Sequence, residues 1–197
     1  MDMALAQAKD ALRAEMLARR ARLTPAEVEQ AGAAIVAQIL ASPRFLAAGT
    51  ICGYMAIGNE APTAPILRAA LAAGKRVVLP RTLFARRELI LHEVQDFAAL
   101  HPGRYGILEP AADAPIVAPA AVELFLVPGA VFDACGNRLG YGAGLFDTLL
   151  AQSTGCRMAL AYAWQVVPQV PSASHDIPMD LLVTESGVLN CRPSPSL

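Results

Sequence analysis

The sequence predicts an α/β fold in which helices lie outside a parallel sheet. Two apolar segments, 50–54 and 76–80, have the length and composition of buried strands, and a helical segment closed by Gly74 lies between them. A strand, a helix and a second strand in this order form a βαβ unit, which implies a parallel sheet. A third apolar run, Leu124–Val127, has the same strand character and precedes a glycine loop and a helix.

Apolar spacing and capping residues predict the other elements. A first helix covers 3–22, and Thr24-Pro25-Ala26-Glu27 is a capping box that opens a second helix to about Leu40, which Ser42-Pro43 ends or restarts. Thr63 is predicted to cap the third helix. Further predicted elements are a strand at 88–94, a polar loop at 133–138, a helix at 145–153, a strand at 157–162 and a last strand at 181–184.

Composition excludes several classes of protein. The chain has 197 residues, which suits one domain over 1–197, and a net charge of −1, which argues against nucleic-acid binding. No apolar run is long enough to span a membrane, and the mixed-charge N-terminus is unlike a signal or transit peptide. The four cysteines are scattered and no histidine pair has zinc spacing, so we expect reduced thiols in a cytoplasmic protein.

The glycine loop after the third apolar run is the strongest candidate site. Gly140, Gly142 and Gly144 alternate just before a helix, and such loops let backbone N–H groups approach a phosphate. Arg138 precedes them as a permanent cation, and Asp147 follows in the first helical turn, where it could hold Mg²⁺. The loop matches neither a Walker A nor a G-x-G-x-x-G motif, so on pattern alone a tight connection is an equal alternative.

Other candidates have plain structural alternatives. Lys9 and Arg13 fall at i,i+4 on the first helix and could form a solvated basic face. Glu60 follows the carboxyl end of a strand, where open α/β sheets bind ligands, but it could be an ordinary surface residue. Asp176 and Asp180 could form a turn and a cap, or complete a hard-cation site with Asp147.

Several of these segments, taken together, resemble the 5-formyltetrahydrofolate cyclo-ligase family, also called 5,10-methenyltetrahydrofolate synthetases. The resemblance covers nearly the whole chain, and its strength is the order and spacing of the motifs. They are Lys9-x-x-x-Arg13, Tyr54-Met55, Glu60-x-x-Thr63, Lys75 to Pro80, Tyr105-Gly106-Ile107-x-Glu109-Pro110, Val127-Pro128-Gly129-x-x-Phe132-Asp133, Gly136-Asn137-Arg138-Leu139-Gly140-Tyr141-Gly142-x-Gly144-x-x-Asp147, Gln165 and His175-Asp176-x-x-x-Asp180.

The resemblance implies a three-layer α/β/α sandwich around a mainly parallel central sheet. It also implies ATP- and Mg²⁺-dependent conversion of 5-formyltetrahydrofolate to 5,10-methenyltetrahydrofolate, with Arg138 and Lys9 as catalytic residues and Asp147 and Asp176 as metal ligands. The implied ATP-binding residues are Lys9, Arg13, Arg138, Leu139, Gly140, Tyr141, Gly142, Ala143, Gly144, Leu145 and Phe146. The implied folate-binding residues are Arg13, Met55, Glu60, Tyr141, Gly142, Ala143, Gly144 and Leu145. The expected partners are 5-formyltetrahydrofolate and ATP, without nucleic acid or membrane, and the expected state is a monomer.

The loop departs from the family pattern G-[GK]-G-[YF]-[YF]-D-[RK] at three positions. Ala143, Leu145 and Thr148 replace the Gly/Lys, the first aromatic residue and the trailing cation. We expect activity to be retained, with weaker nucleotide binding, because the phosphate-binding backbone and Asp147 remain. Two rival functions stay open: an ATP-dependent enzyme on the same scaffold with another substrate, and a folate- or nucleotide-binding module that has lost catalysis.

Overall fold

The computed structural model describes residues 3–83, 85–103 and 106–191. Thr24 forms the capping box with Glu27, and Ser42 caps the helix that restarts at Pro43. The helices are α1 (Met3–Ala21), α2 (Pro25–Ala41), α3 (Pro43–Ala47), α4 (Ala64–Ala72) and α5 (Leu145–Leu150). The strands are β1 (Thr50–Cys52), β2 (Arg76–Leu83), β3 (Glu88–Val94), β4 (His101–Pro102), β5 (Leu108–Glu109), β6 (Leu124–Val127), β7 (Val131–Asp133), β8 (Arg138–Leu139), β9 (Cys156–Leu160), β10 (Val166–Val167), β11 (Leu181–Thr184) and β12 (Gly187–Asn190).

The main sheet is parallel at its centre and antiparallel at both edges. Its order in the described residues is β12-β11-β9-β6-β1-β2-β3. The five inner strands pair in parallel, whereas β3 and β12 pair antiparallel with their neighbours. The predicted βαβ unit is therefore present as β1-α4-β2.

The sheet is buried on both faces, as the apolar runs predict. In β6, Leu124 and Leu126 pack into the core beneath α2 and α4, while Phe125 and Val127 pack into the core beneath α5. All four residues of β6 are fully buried. Helices α2 and α4 cover one face, and the short α5 with the segments around it covers the other, which confirms the predicted α/β/α layering.

A second, small sheet supports the first helix. Its strands are in the order β10-β7-β8. Leu12 and Met16 of α1 pack there against Val131, Leu139 and Val170. This contact sets α1 across the segment that leads into the glycine loop.

Thr63 is the N-cap residue of α4, as predicted, although its hydroxyl makes no capping hydrogen bond and donates instead to the Tyr54 carbonyl oxygen. Three other details of the sequence prediction were wrong. The predicted polar loop 133–138 is the turn of the β7–β8 hairpin, so its end residues lie in strands. Helix α5 ends at Leu150 rather than 153, and β12 follows the strand that was expected to be last.

Of the family motifs, Tyr105 lies outside the described residues. Within the described ranges, no helix combines the length and apolar character needed to cross a bilayer.

Candidate active site

The candidate site lies at the carboxyl edge of the main sheet. From β1 the chain goes first to β2 on one side and later to β6 on the other, so the strand order reverses between β1 and β6. Ligands of open α/β sheets bind at such a reversal, beyond the carboxyl ends of the strands. The segment that carries Met55 and Glu60 leaves β1 at this edge, and Pro128-Gly129 leaves β6 beside it.

Helix α1 presents cations to this edge. Lys9, Arg13 and Arg20 recur with helical spacing around the buried Met16, so all of them lie on the face that packs on the small sheet. Lys9 is 9% exposed and Arg20 is 7% exposed. The alternative of a solvated basic face is therefore wrong. Since burying a cation is costly unless it has a partner, these side chains require partners inside the protein.

Lys9 pairs with Asp176, far away in the sequence. Lys9 Nζ lies 2.5 Å from Asp176 Oδ2, and the two side chains are 11% and 17% exposed. The Ala173 N–H donates to the same oxygen at 2.7 Å. Burial alone would raise the pKa of Asp176, but the hydrogen bonds from Lys9 and Ala173 and the charges of Lys9 and His175 outweigh it, so the pKa lies below the ordinary value.

Arg13 attaches α1 to the glycine loop. Its Nε donates to the Gly140 carbonyl oxygen at 2.8 Å, and its Nη1 pairs with Asp10. Gly142 has φ +95°, and a Cβ built there would lie 3.5 Å from Arg13 Cζ. The guanidinium thus lies directly against the loop backbone, where it can also neutralise a bound anion.

Arg138 is buried and holds Asp147. Its Nη2 donates to Asp147 Oδ1 at 2.9 Å, and its Nη1 donates to the Pro128 carbonyl oxygen at 3.2 Å. The Arg138 side chain is 3% exposed, against 24% for Asp147, and its Cζ lies 5.8 Å from the centre of the Phe146 ring. Among the described residues, Arg138 Nε is buried without a hydrogen-bond partner.

The two proposed metal ligands lie on the same side of the molecule. Asp147 Oδ1 also accepts a hydrogen bond from the N–H of Ile177, the residue after Asp176, at 3.1 Å. Both carboxylates therefore belong to one region, although they are far apart in sequence. Over the part of the chain that the structure describes, no group of three or more His, Cys, Asp or Glu side chains is arranged to hold a metal ion by itself.

Glu60 is buried beneath the glycine loop. Its Oε2 accepts the Ile57 N–H at 2.9 Å, and its Oε1 accepts the Tyr141 hydroxyl at 2.5 Å. Arg20 Nη1 lies 3.8 Å from the same Oε1, and Arg20 Nη2 donates to the Tyr141 oxygen. Burial, followed by the charge of Glu60, raises the pKa of Tyr141 to about 12. The alternative of an ordinary surface glutamate is wrong, since Glu60 is 6% exposed.

The remaining predicted residues fall into three groups by burial. Leu139 is buried under α1, so its side chain belongs to the core and only its backbone is near the loop. Met55 packs against the main core, and Leu145 and Phe146 are half-buried at the start of α5. The loop residues Tyr141, Gly142, Ala143 and Gly144 are exposed.

Sequence reasoning missed Arg20 and Asn59. Arg20 continues the spacing of Lys9, Arg13 and Met16, and this periodicity could have identified it. Asn59 Nδ2 donates to the carbonyl oxygens of Arg20 and Leu23 at 3.0 and 2.9 Å and fixes the Glu60 loop to the end of α1. Its only signal is its position beside Glu60, because the contact joins segments far apart in the chain.

Comparison with known proteins identifies the family. The profile of the 5-formyltetrahydrofolate cyclo-ligase family matches residues 5–185. The chain belongs to this family. The family and the enzyme class expected from the sequence, a cyclo-ligase, are therefore confirmed.

Relatives from distant organisms agree along most of their length. The 5-formyltetrahydrofolate cyclo-ligase of Escherichia coli K12 is 29% identical over 175 residues, with 86% of this chain and 96% of that protein covered. The mitochondrial enzyme of Arabidopsis thaliana is 30% identical over 198 residues, covering 87% of this chain and 72% of its own length. The NMR structure of Aquifex aeolicus 5,10-methenyltetrahydrofolate synthetase superposes with a TM-score of 0.86 at 33% identity and covers 96% of this chain and 95% of its own.

Proposed function

We propose that this cyclo-ligase converts 5-formyltetrahydrofolate to 5,10-methenyltetrahydrofolate, using ATP and Mg²⁺ and releasing ADP and phosphate. The observation that carries the proposal is that one face of α1 contacts both the glycine loop and the segment that carries Asp176. Lys9 pairs with Asp176, and Arg13 bonds to the glycine loop at Gly140. The family relationship supplies the substrate.

The phosphates of ATP would lie between α1 and the glycine loop. Lys9 and Arg13 bring positive charge to this place, and the backbone of 139–146 can approach an anion closely because Gly140, Gly142 and Gly144 carry no side chain. In our proposal Arg138 acts here mainly through Asp147, because its guanidinium is buried and bonded to that carboxylate.

Asp147 and Asp176 fit a magnesium site that ATP completes. Mg²⁺ usually takes one or two carboxylates, and phosphate oxygens and water supply its remaining ligands. Each carboxylate has one oxygen that accepts hydrogen bonds, Oδ1 in Asp147 and Oδ2 in Asp176. The ion would supply positive charge that offsets the negative charge of the phosphates.

The folate would lie on the Glu60 side of the loop. Glu60 is the acceptor proposed for the amino edge of the pterin, with Met55 packing beside it and Arg13 and the loop residues 141–145 facing the substrate. Ala143 and Leu145 provide less charge and less aromatic surface than the family pattern, and the Thr148 hydroxyl donates to the Gly144 carbonyl oxygen at 3.2 Å. We propose that these departures weaken nucleotide binding without removing activity.

The chemistry asks the protein for positioning and charge neutralisation. The formyl oxygen attacks the γ-phosphorus of ATP, the bond to the β,γ-bridging oxygen breaks, and ADP leaves. The N10 amine then attacks the activated formyl carbon and loses its proton, and phosphate leaves with the former formyl oxygen. Lys9 and Arg13 would offset the charge on the phosphates during the first step, and no nucleophilic side chain is required.

The test is a cyclisation assay in the near ultraviolet, where the methenyl product absorbs. Product is expected with 5-formyltetrahydrofolate, ATP and Mg²⁺ together, and not when ATP or Mg²⁺ is left out. Asp147→Asn is expected to lower kcat by about 100-fold or more, because an amide is a poor Mg²⁺ ligand. Binding of both substrates by calorimetry without any product would contradict the proposal and indicate a binding module instead.

A further inference from the structure

The carboxylate proposed to receive the folate is already occupied by protein groups. Glu60 Oε1 accepts the Tyr141 hydroxyl, and Glu60 Oε2 accepts the Ile57 N–H. The Glu60 side chain is 5% exposed. A substrate donor therefore cannot reach Oε1 while Tyr141 stays in place, because the oxygen is both bonded and covered.

Tyr141 is the most exposed member of this cluster, although its hydroxyl bonds to both Glu60 and Arg20. It is 47% exposed, and it stands between Gly140 and Gly142. Gly142 has φ +95°, and Gly144, with φ +69°, has open space where a side chain would be. A tyrosine flanked by glycines can rotate away from Glu60 with little steric resistance.

Arg20 is fixed, in contrast to Tyr141. It is 7% exposed, and its Nη1 donates to the Gly129 carbonyl oxygen at 3.3 Å. Asn59 holds the carbonyl oxygens of Arg20 and Leu23 at the end of α1. Arg20 Nη1 lies 3.8 Å from Glu60 Oε1, so this cation remains beside Glu60 when Tyr141 leaves.

We propose that the Tyr141 hydroxyl holds the place of the substrate amino group at Glu60, and that Arg20 is the positioning residue that keeps Glu60 ready to receive it. This inference rests on the proposed function, in which Glu60 binds the pterin. Folate would exchange one donor for another at Oε1, while Arg20 continues to neutralise the carboxylate. Folate binding would thereby release the Tyr141 hydroxyl from Glu60, while Arg13 still holds the glycine loop at the Gly140 carbonyl oxygen.

The test is folate affinity in Tyr141→Phe, measured by calorimetry with 5-formyltetrahydrofolate. The variant keeps the ring over Arg20, whose Cζ lies 5.6 Å from the ring centre, and removes the competing hydroxyl. Arg20 loses the acceptor of its Nη2 but keeps the bond from Nη1 to the Gly129 carbonyl oxygen. The Kd is expected to fall about tenfold, since a hydrogen bond to a charged group no longer has to be broken. Tyr54→Phe is the matched control, because the Tyr54 hydroxyl bonds to the Ala61 carbonyl oxygen at 3.0 Å instead, and its Kd is expected to stay at the wild-type value.

Arg20 is tested by comparing Arg20→Met with Arg20→Lys. Loss of the cation is expected to raise the folate KM about tenfold while kcat and the KM for ATP change much less, and lysine is expected to restore part of the folate KM. A purely structural role of Arg20 would lower the thermal midpoint of both variants and leave the ratio of the two KM values unchanged, which would overturn the positioning role.

The outcomes separate this inference from the proposed function. If the folate Kd of Tyr141→Phe is unchanged or higher and Glu60→Gln loses folate binding, the inference about Tyr141 is wrong and the proposed function stands. If Glu60→Gln binds folate as tightly as the wild type, the assignment of Glu60 fails and the inference fails with it. Failure of the proposed function itself is seen separately, as absence of the methenyl product in the wild-type enzyme.

Discussion

Replacing Lys9 by methionine removes the cation that Asp176 faces, and the structure sets the size of the effect. Exposed ion pairs contribute about 0–1 kcal/mol, and breaking a fully buried pair costs about 3–5 kcal/mol. The Lys9 and Asp176 side chains are 11% and 17% exposed, so this pair lies between those limits. We expect a loss of about 2 kcal/mol in the free energy of unfolding at neutral pH, or about 4–8 °C in the thermal midpoint.

The effect of Lys9→Met should depend on pH in one direction. The pKa of Asp176 is lowered in the folded protein, so its ionised carboxylate stabilises the fold. This stabilisation is fully present above pH 3.8, the ordinary pKa, and is lost as the pH falls through the lower folded pKa. Urea unfolding at neutral pH and at the lowest pH where the wild type stays folded measures the difference, which should shrink in acid.

A double-mutant cycle with Asp176→Asn isolates the pair. The expected coupling free energy is about 1–2 kcal/mol. Lys75→Met is the matched control, because Lys75 Nζ donates to the carbonyl oxygens of Leu46 and Ala48, which do not titrate. The stability lost in Lys75→Met should therefore not become smaller in acid. A coupling below about 0.5 kcal/mol, or an effect of Lys9→Met that is the same at both pH values, would refute the pairing of Lys9 with Asp176.

Three further predictions concern the glycine loop and its supports. Gly142→Ala is expected to destabilise the protein by about 1–2 kcal/mol, because an L-residue is strained at φ +95°, whereas Gly140→Ala should be neutral or stabilising by about 0.5 kcal/mol; urea unfolding compares them. The folded protein raises the pKa of Tyr141, so its protonated hydroxyl should stabilise the fold fully below pH 10.0, the ordinary pKa. This stabilisation should be lost as the pH rises through the folded pKa of about 12, which an ultraviolet difference titration against Tyr141→Phe measures. Arg138→Lys keeps the charge but loses the planar fork that joins Asp147 to Pro128, so unfolding free energy should fall by about 2 kcal/mol in urea denaturation, and an unchanged value would contradict that support.

Local patterns were sufficient for most of the sheet. Strands such as Leu124–Val127 were found because continuous apolar runs are needed where both faces of a strand are buried. The capping box at Thr24 was found because its hydrogen bonds join residues three positions apart. The predicted N-cap position of Thr63 is correct, but its hydroxyl donates to the Tyr54 carbonyl oxygen, which the helix pattern alone does not predict.

For the candidate site too, local patterns predicted some features and only the tertiary structure revealed others. The sequence alone determined the family, the α/β class and the residue types that a phosphate and a divalent cation require, because these depend on composition and on spacing along the chain. Only the tertiary structure decided that Lys9 faces Asp176, that Arg138 is buried against Asp147, and that Arg20 and Tyr141 enclose Glu60. These contacts join segments up to 167 positions apart. The spacing of residues along the chain cannot predict these contacts, since they form only when the main sheet and α1 have packed together.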